Sequence, residues 1–247
     1  AAKLMLRPGQ RVLDIGCGWG GMALYLAQVA DVEVLGITLA EEQLKVARER
    51  AEAAGLAGRV RFELRDYRAL DGTFDRIVSV GMLEHVGATG LGTYFGTLRN
   101  RLAPDGVALI HSIMRGSASG VTSAFTAKYI FPGGYIPALS ETVAAVEQSR
   151  LWLQDCEIWR KHYGYTIEHW ARRFAANRDQ AKAMYDERFC RMWELYLAGA
   201  ESSFRTGRMA VMQLQLGHDR DAVPLSRDYM AAETEQLRAR EAEVGLA

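Results

Sequence analysis

Arg11-Val-Leu-Asp-Ile-Gly-Cys-Gly-Trp-Gly-Gly21 reads as an apolar strand that runs into three glycines at alternate positions, Gly16, Gly18 and Gly20. A helix-like run over 22–30 follows at once. Glycine suits such a loop because the chain must turn sharply and bring bare backbone close to a ligand. Asp14, two residues before the first glycine, is carried to the carboxyl end of the strand. In an open α/β sheet that edge is where ligands bind.

Strand and helix patterns alternate onward from this loop. A strand over 32–38 leads into a helix over 40–55 whose buried stripe is Leu44, Ala47 and Ala51, with Gly55 as its stop. Strands follow over 59–66 and 74–81, then a helix over 92–102 stopped by Pro104-Asp105-Gly106. An apolar strand over 107–114 has one polar intruder, His111. This order predicts an α/β fold with a mostly parallel, doubly wound sheet. The stretch 115–150 is too long for an ordinary loop and carries Phe125, Tyr129, Phe131 and the turn-rich Pro132-Gly-Gly-Tyr-Ile-Pro137. At the ligand edge it reads as a substrate lid; the plainer alternative is a small helical subdomain that only covers the sheet. A further strand over 155–163, helices over 167–176 and 179–204, and a last strand over 208–216 complete the core. The expected organisation is a core over 1–114, a lid over 115–150, the rest of the core over 151–219 and a polar tail over 220–247 outside it.

Thirty basic residues balance thirty acidic ones in 247, which argues against nucleic acid as a partner. Cys17, Cys156 and Cys190 are far apart and odd in number, which suits a reducing compartment and offers no disulfide framework or zinc site. No metal site is expected. No apolar run approaches the ~20 residues of a membrane span and no signal peptide is visible. The chain begins at Ala1 without a methionine, almost directly at the first strand, and reads as a fragment of a longer protein.

Two cofactor readings compete at the glycine loop. Gly16-x-Gly18-x-x-Gly21 satisfies the dinucleotide fingerprint, but the second strand ends in Gly36-Ile37-Thr38 without the carboxylate that would hold a ribose. The Asp-x-Gly-x-Gly-x-Gly form resembles the first motif of S-adenosylmethionine (SAM)-dependent methyltransferases. A turn without function is the third possibility. Asp66, at the end of the third strand before Tyr67, is placed to accept from an adenine amino group, or is a simple turn carboxylate. Glu84 and His85 stand side by side after the fourth strand, where adjacent positions point differently. His111 alone reads more often as a core histidine than a functional one. The late aromatics Tyr129, Phe131, Tyr135, Trp152, Trp159, Tyr163, Trp170 and Trp193 are mostly core by their spacing, although rings beside a carbocation would stabilise it. Arg172, Arg173, Lys182, Arg188 and Arg191 read as a solvated helix face or a surface for an anionic lipid.

Several separate stretches together resemble the cyclopropane-fatty-acyl-phospholipid synthases and mycolic acid cyclopropane synthases. They are Val12–Gly21, Gly36-Ile-Thr-Leu39 with Gln43, Asp66-Tyr-Arg68, Ser79-Val-Gly-Met-Leu-Glu-His-Val-Gly87, Tyr129-Ile-Phe-Pro-Gly-Gly-Tyr-Ile-Pro137, Arg191-Met-Trp193, Tyr196-Leu197 and Phe204-Arg205. The glycine loop is generic to methyltransferases, whereas the Glu-His-Val-Gly and Tyr-Ile-Phe-Pro-Gly-Gly stretches are specific.

The resemblance implies a class I SAM-dependent methyltransferase fold, Rossmann-like with a seven-stranded sheet and a helical lid. It also implies transfer of a methyl(ene) group to the cis double bond of an unsaturated phospholipid acyl chain, with SAM as donor and bound bicarbonate as base. The bicarbonate site maps onto Glu84, His111, the backbone at Ile113, and Tyr163; the SAM contacts onto Asp14, Gly16, Gly18, Thr38, Leu39, Gln43, Asp66 and Tyr67. Tyr129, Phe131, Tyr135 and Trp170 would line the acyl tunnel. A cytoplasmic protein held peripherally at the inner face of the membrane follows, and a homodimer is compatible with it. Two departures stand out. The Tyr-Ser-x-x-Tyr type stretch that precedes the first strand in family members is absent, and Ala200 stands where many members carry a cysteine. Methyl- or methylene-branched products, or a SAM-binding partner subunit without catalysis, are the alternative outcomes.

Overall fold

The computed structural model describes residues 1–246. Five strands carry the first half of the chain: β1 (Arg11–Ile15), β2 (Glu33–Thr38), β3 (Val60–Leu64), β4 (Phe74–Val80) and β5 (Leu102–Arg115). With β6 (Trp152–Trp159) and β7 (Met209–Gly217) they form one seven-stranded sheet of order β3-β2-β1-β4-β5-β7-β6. β7 runs antiparallel to both β5 and β6, while the pairs among β1 to β5 are parallel. The mostly parallel, Rossmann-like sheet expected above is therefore present. Its order reverses between β1 and β4, which opens a crevice at their carboxyl ends.

β4 and β5 are apolar runs because helices cover both of their faces. On one face α1 (Gly21–Ala30) and α2 (Glu41–Ala53) bury Ala23, Leu26, Leu44 and Ala47 against Val12, Val34 and Val78. On the other, α3 (Leu91–Arg101) and α5 (Leu139–Ser149) bury Tyr94, Phe95, Leu98 and Val146 against Leu13, Ile77 and Ile110. Side chains of this size each contribute ~1.5–3 kcal/mol when fully buried. Beyond β6 lie α6 (His162–Ala176), α7 (Arg178–Met184) and α8 (Glu187–Arg205). Ile167 and Leu197 of α6 and α8 pack with Phe204, Trp159, Trp193 and Tyr196 against Ile113 and Val211 at one end of the sheet. For these aromatics the core reading holds.

Four boundaries differ from the expectations. Pro104-Asp105-Gly106 does not follow a helix as a stop but lies in the irregular start of β5, where register with β4 shifts between Phe74 and Arg76. A proline is tolerated where the ladder is already interrupted. The stretch 115–150 divides: α4 (Ala124–Tyr129) and the turns to residue 137 cover the sheet edge, whereas α5 buries Ala145 and Val146 in the main core. The strand expected over 155–163 ends at Trp159, so Tyr163 is in the first turn of α6. The long helix expected over 179–204 is two, because the Asp186 carboxylate accepts the Phe189 N–H at 2.6 Å and starts α8 afresh.

The tail is anchored rather than free of the core. Val223 is buried with Met5 and Val107. Within α9 (Asp228–Glu243), Tyr229 donates to Gln215 at 3.0 Å, and Glu233 pairs with Arg7 at 2.6 Å. Tyr25 of α1 donates to Glu241 at 2.7 Å. One buried valine and these polar contacts hold a segment whose composition shows no apolar face. Among the described residues no helix is long and apolar enough to cross a membrane.

Candidate active site

After β1 the chain turns at Gly16 with φ 81°, and the N–H groups of Gly16 and Cys17 both donate to the Ile37 carbonyl at 3.0 Å. A Cβ at Gly16 would stand 3.1 Å from the Met82 side chain. Gly36, opposite Asp14 in β2, is equally constrained: a Cβ there would lie 2.6 Å from the Phe62 ring and 2.9 Å from Cys17 Cβ. The glycine loop is thereby seated between β2 and the loop after β4. Above it opens a cavity of about 590 Å³ lined by Gly16, Thr38, Leu39, Gln43, Asp66 and Tyr67, together with Met82 and His85.

The polar groups of this cavity are held in place. Thr38 donates to Gln43 Oε1 at 3.1 Å and accepts the Ala40 N–H at 3.1 Å, which orients the start of α2. The Asp66 carboxylate accepts from the Arg68 backbone at 2.8 Å and from its guanidinium at 2.7 and 2.9 Å. The guanidinium bond holds that carboxyl below its usual range. Gly18, at φ 55°, shapes the loop without lining the cavity. Asp14 does not line it either. It is 2 % exposed within β1, its Oδ2 has no hydrogen-bond partner, and burial pushes its carboxyl up to about 7.

The loop after β4 builds a second cavity, of about 230 Å³. Glu84 is its centre. Glu84 Oε1 accepts the Ile113 N–H at 2.6 Å, and its carbonyl accepts the Tyr135 N–H at 2.8 Å, so one residue joins the β4 loop, the end of β5 and the insertion. Glu84 Oε2 is buried without a partner, and desolvation raises the carboxyl above its ordinary value. Tyr163 reaches the same cavity from α6, packed edge-on to Phe204 and Trp170. Burial, then the Glu84 charge, raises its phenol. Phe131, Gly134, Tyr135 and Ile136 close the walls, which are mainly apolar. His85 lines both cavities, with its ring edge toward Phe131 at 6.3 Å.

The remaining expected residues lie apart from these linings. His111 sits two residues before Ile113 on the same face of β5, its Nδ1 3.0 Å from Gln213 Nε2 and its ring edge-on to Trp159. Burial, then the Lys3 charge, lowers its pKa, which keeps the ring neutral at neutral pH. Tyr129 is 43 % exposed, packed on Phe125 and under Lys128, and does not reach the cavity. Trp170 is 37 % exposed and touches Tyr163 without lining the cavity. Both lie on short or amphipathic helices whose facing the sequence period left open. Tyr135 does line the cavity, but its hydroxyl donates to Glu141 at 2.7 Å. Of the basic late helices, Arg172 pairs with Glu168 and Lys182 with Glu187, so part of that surface is neutralised.

Two contributors escaped the sequence reading, Met82 under Gly16 and Gln213 beside His111, while His85, noted there only beside Glu84, is the wall shared by both cavities. Gln213 and Gln215 interrupt the apolar strand Met209–Gly217 at alternate positions, and that was the available signal. Chemically, a carboxyl raised above its ordinary value by desolvation and a phenol line an apolar chamber, and the Tyr163 hydroxyl and the His111 ring on adjoining β5 can act as hydrogen-bond donors. Such donors can retain a small anion where solvent cannot.

The family described as mycolic acid cyclopropane synthetase matches residues 1–214. The chain is 40% identical over 212 residues to the cyclopropane-fatty-acyl-phospholipid synthase of Escherichia coli K12, covering 86% of this chain and 54% of that protein. It is 39% identical over 219 residues to a probable fatty acid methyltransferase of Pseudomonas putida, covering 86% and 56%. The chain thus spans about half the length of these curated relatives. Among solved structures, the cyclopropane synthase MmaA2 of Mycobacterium tuberculosis is similar with a TM-score of 0.81 at 30% identity, covering 87% of this chain and 80% of that one. The mycolic acid cyclopropane synthase CmaA1, complexed with SAH and CTAB, has the same TM-score at 29% identity and the same coverage.

Proposed function

The chain belongs to the mycolic acid cyclopropane synthetase family, and from that premise we propose that the whole protein is a SAM-dependent enzyme. It transfers a methyl(ene) group to the cis double bond of an unsaturated phospholipid acyl chain, with a cyclopropane as product and bicarbonate as base. The observation that carries this reading is Glu84: a buried, half-unpartnered carboxyl in an apolar chamber that shares His85 with the glycine-loop cavity.

The residues present fit both absent groups. The crowding at Gly16 and Gly36 means that larger residues there would push the glycine loop or its neighbours into the larger cavity. Gly16, Thr38, Leu39, Gln43, Asp66 and Tyr67 would hold SAM, with the charged Asp66 on the adenine amino group, while Asp14 and Gly18 act through the loop. The orphaned Glu84 Oε2 is an open polar position for the anion. Bound SAM supplies an electrophilic methyl carbon, and bound bicarbonate supplies a base for one of that carbon's protons. Glu84, whose carboxyl burial shifts toward the protonated form, donates to the anion when protonated; Tyr163 and His111 donate beside it. Ile113 contributes through its N–H, which holds Glu84 Oε1 in place. The rings of Phe131 and Tyr163 flank the chamber in which the alkene becomes cationic, and their faces favour that charge. Holding alkene and methyl carbon in line can supply ~7–11 kcal/mol of the barrier reduction.

The acyl chain is drawn from a membrane surface to which the protein docks peripherally, helped by the unpaired basic residues of the late helices. Sedimentation should rise with anionic over neutral vesicles and fall at high salt. A second reading, methyl- or methylene-branched products, is favoured by the similarity to a protein named as a fatty acid methyltransferase.

The deciding experiment is turnover of SAM and cis-unsaturated phospholipid by the full-length protein, with and without bicarbonate, followed by proton NMR of the released fatty acids. High-field ring protons support cyclopropanation, and vinylic methylene protons support the branched product. Glu84→Gln or Tyr163→Phe should each lower turnover at least ~100-fold, the scale of general acid–base contributions; unchanged turnover in either variant refutes the anion site. Tight SAM binding without turnover would instead make the protein a binding partner.

A further inference from the structure

His111 faces two directions, and the structure occupies one of them. In the sheet register His111 of β5 stands opposite Gln213 of β7, and Gln213 stands opposite Glu157 of β6. Gln213 Nε2 lies 3.0 Å from His111 Nδ1. Glu157, the carboxylate next along this row, is ion-paired with Lys3, so its charge is already compensated. Trp159 packs edge-on to the imidazole from β6. The neutral Gln213 amide is therefore the group that addresses His111 Nδ1.

A neutral imidazole has one donor and one acceptor nitrogen, and whatever binds one of them decides the role of the other. We propose that Gln213 is a positioning residue: its amide N–H donates to His111 Nδ1 and holds the ring as the Nε2–H tautomer, so that the remaining nitrogen is a donor toward the anion. This rests on the anion site proposed above. The chemistry requires that polarity. A bare Nε2 lone pair would repel the anion, and an imidazolium would hand it a proton and weaken it as a base. A carboxylate in place of Gln213 would favour one of those two wrong states, because it accepts and cannot donate.

The test is nitrogen NMR of the full chain labelled with ¹⁵N-histidine, in the absence and presence of bicarbonate, with His111→Asn identifying the His111 signals. The unaltered protein should show its imidazole proton on Nε2 alone. Gln213→Glu should move the proton to Nδ1 or place one on both nitrogens, and Gln213→Leu should give a mixture. Gln213→Glu should also lower kcat at least tenfold with the KM for SAM unchanged. An Nδ1–H tautomer in the unaltered protein, or the same tautomer in all three proteins, would overturn the proposal. The tautomer is read without turnover, so absence of turnover in the unaltered protein would refute the reaction while the NMR still decides the role of Gln213.

Discussion

Asp14→Asn removes the carboxyl group that β1 buries beneath the glycine loop while keeping its shape. Asp14 is 2 % exposed, its Oδ2 has no partner, and burial raises its carboxyl from 3.8 to about 7. In the unfolded chain the same group ionises normally. The native contribution is therefore most favourable below about pH 4, is lost progressively as pH rises, and is fully lost above about pH 7. At about 1.4 kcal/mol per tenfold change in the proton equilibrium, the difference amounts to ~4 kcal/mol. Urea unfolding of both proteins at about pH 5.5 and about pH 8 reads it directly. The Asn variant should be the more stable by ~2 kcal/mol at the lower pH and ~4 kcal/mol at the higher one. A gap that does not widen with pH, or an Asn variant less stable at pH 8, would refute the desolvation argument. A gain in stability on removing such a group is expected at a ligand-binding loop, where a strained residue is retained for function.

Gly36→Ala places a methyl group within 2.6 Å of the Phe62 ring, so it should cost ~1–3 kcal/mol in chemical denaturation even though alanine is otherwise tolerated in a strand. Ile167→Ala empties the centre of the α6–α8 cluster, where Ile167 is 1 % exposed, and should destabilise by ~2–5 kcal/mol in the same assay. Because Tyr163 stands one turn away on α6, turnover should fall in that variant even at temperatures where it remains folded. Tyr229→Phe loses the hydrogen bond to Gln215 and should cost ~1 kcal/mol, with faster proteolysis of the tail after residue 227 if α9 is anchored as described.

Much of this molecule was legible before any coordinates. The alternation of apolar strands and helices, the glycines after β1 and the run Val107–Ile110 without polar alternation are local signals. They depend on backbone sterics and on which faces are covered, so they determined the Rossmann-like sheet and the edge at which its ligand cavities lie. Gly16 and Asp66 were readable for the same reason, since parallel strands deliver their ends to one edge, whereas Thr38, Gln43 and Tyr67 came from the family resemblance. The anchoring of the tail went unread because its anchors are a single valine and scattered polar contacts, which leave no periodic trace. Tyr163 was placed on a strand because an aromatic-rich stretch fits either period. Tyr129 and Trp170, which the resemblance assigned to an acyl tunnel, do not line the second cavity, and helical spacing selects a face only when the packing partner is known. Glu84, Ile113, Tyr163 and Phe131 are separated by tens of residues, and only the docking of insertion and α6 on the end of β5 makes them one chamber. Burial of Asp14 and Glu84, and the meeting of His111 with Gln213, likewise come from packing and from register across the sheet. The sequence by itself determined the fold and the position of the glycine loop, because those follow from local periodicity and glycine geometry. The protonation states, the walls of the second cavity and the partners of its polar groups were decided by tertiary structure alone, because desolvation and long-range contact exist only once the chain is folded.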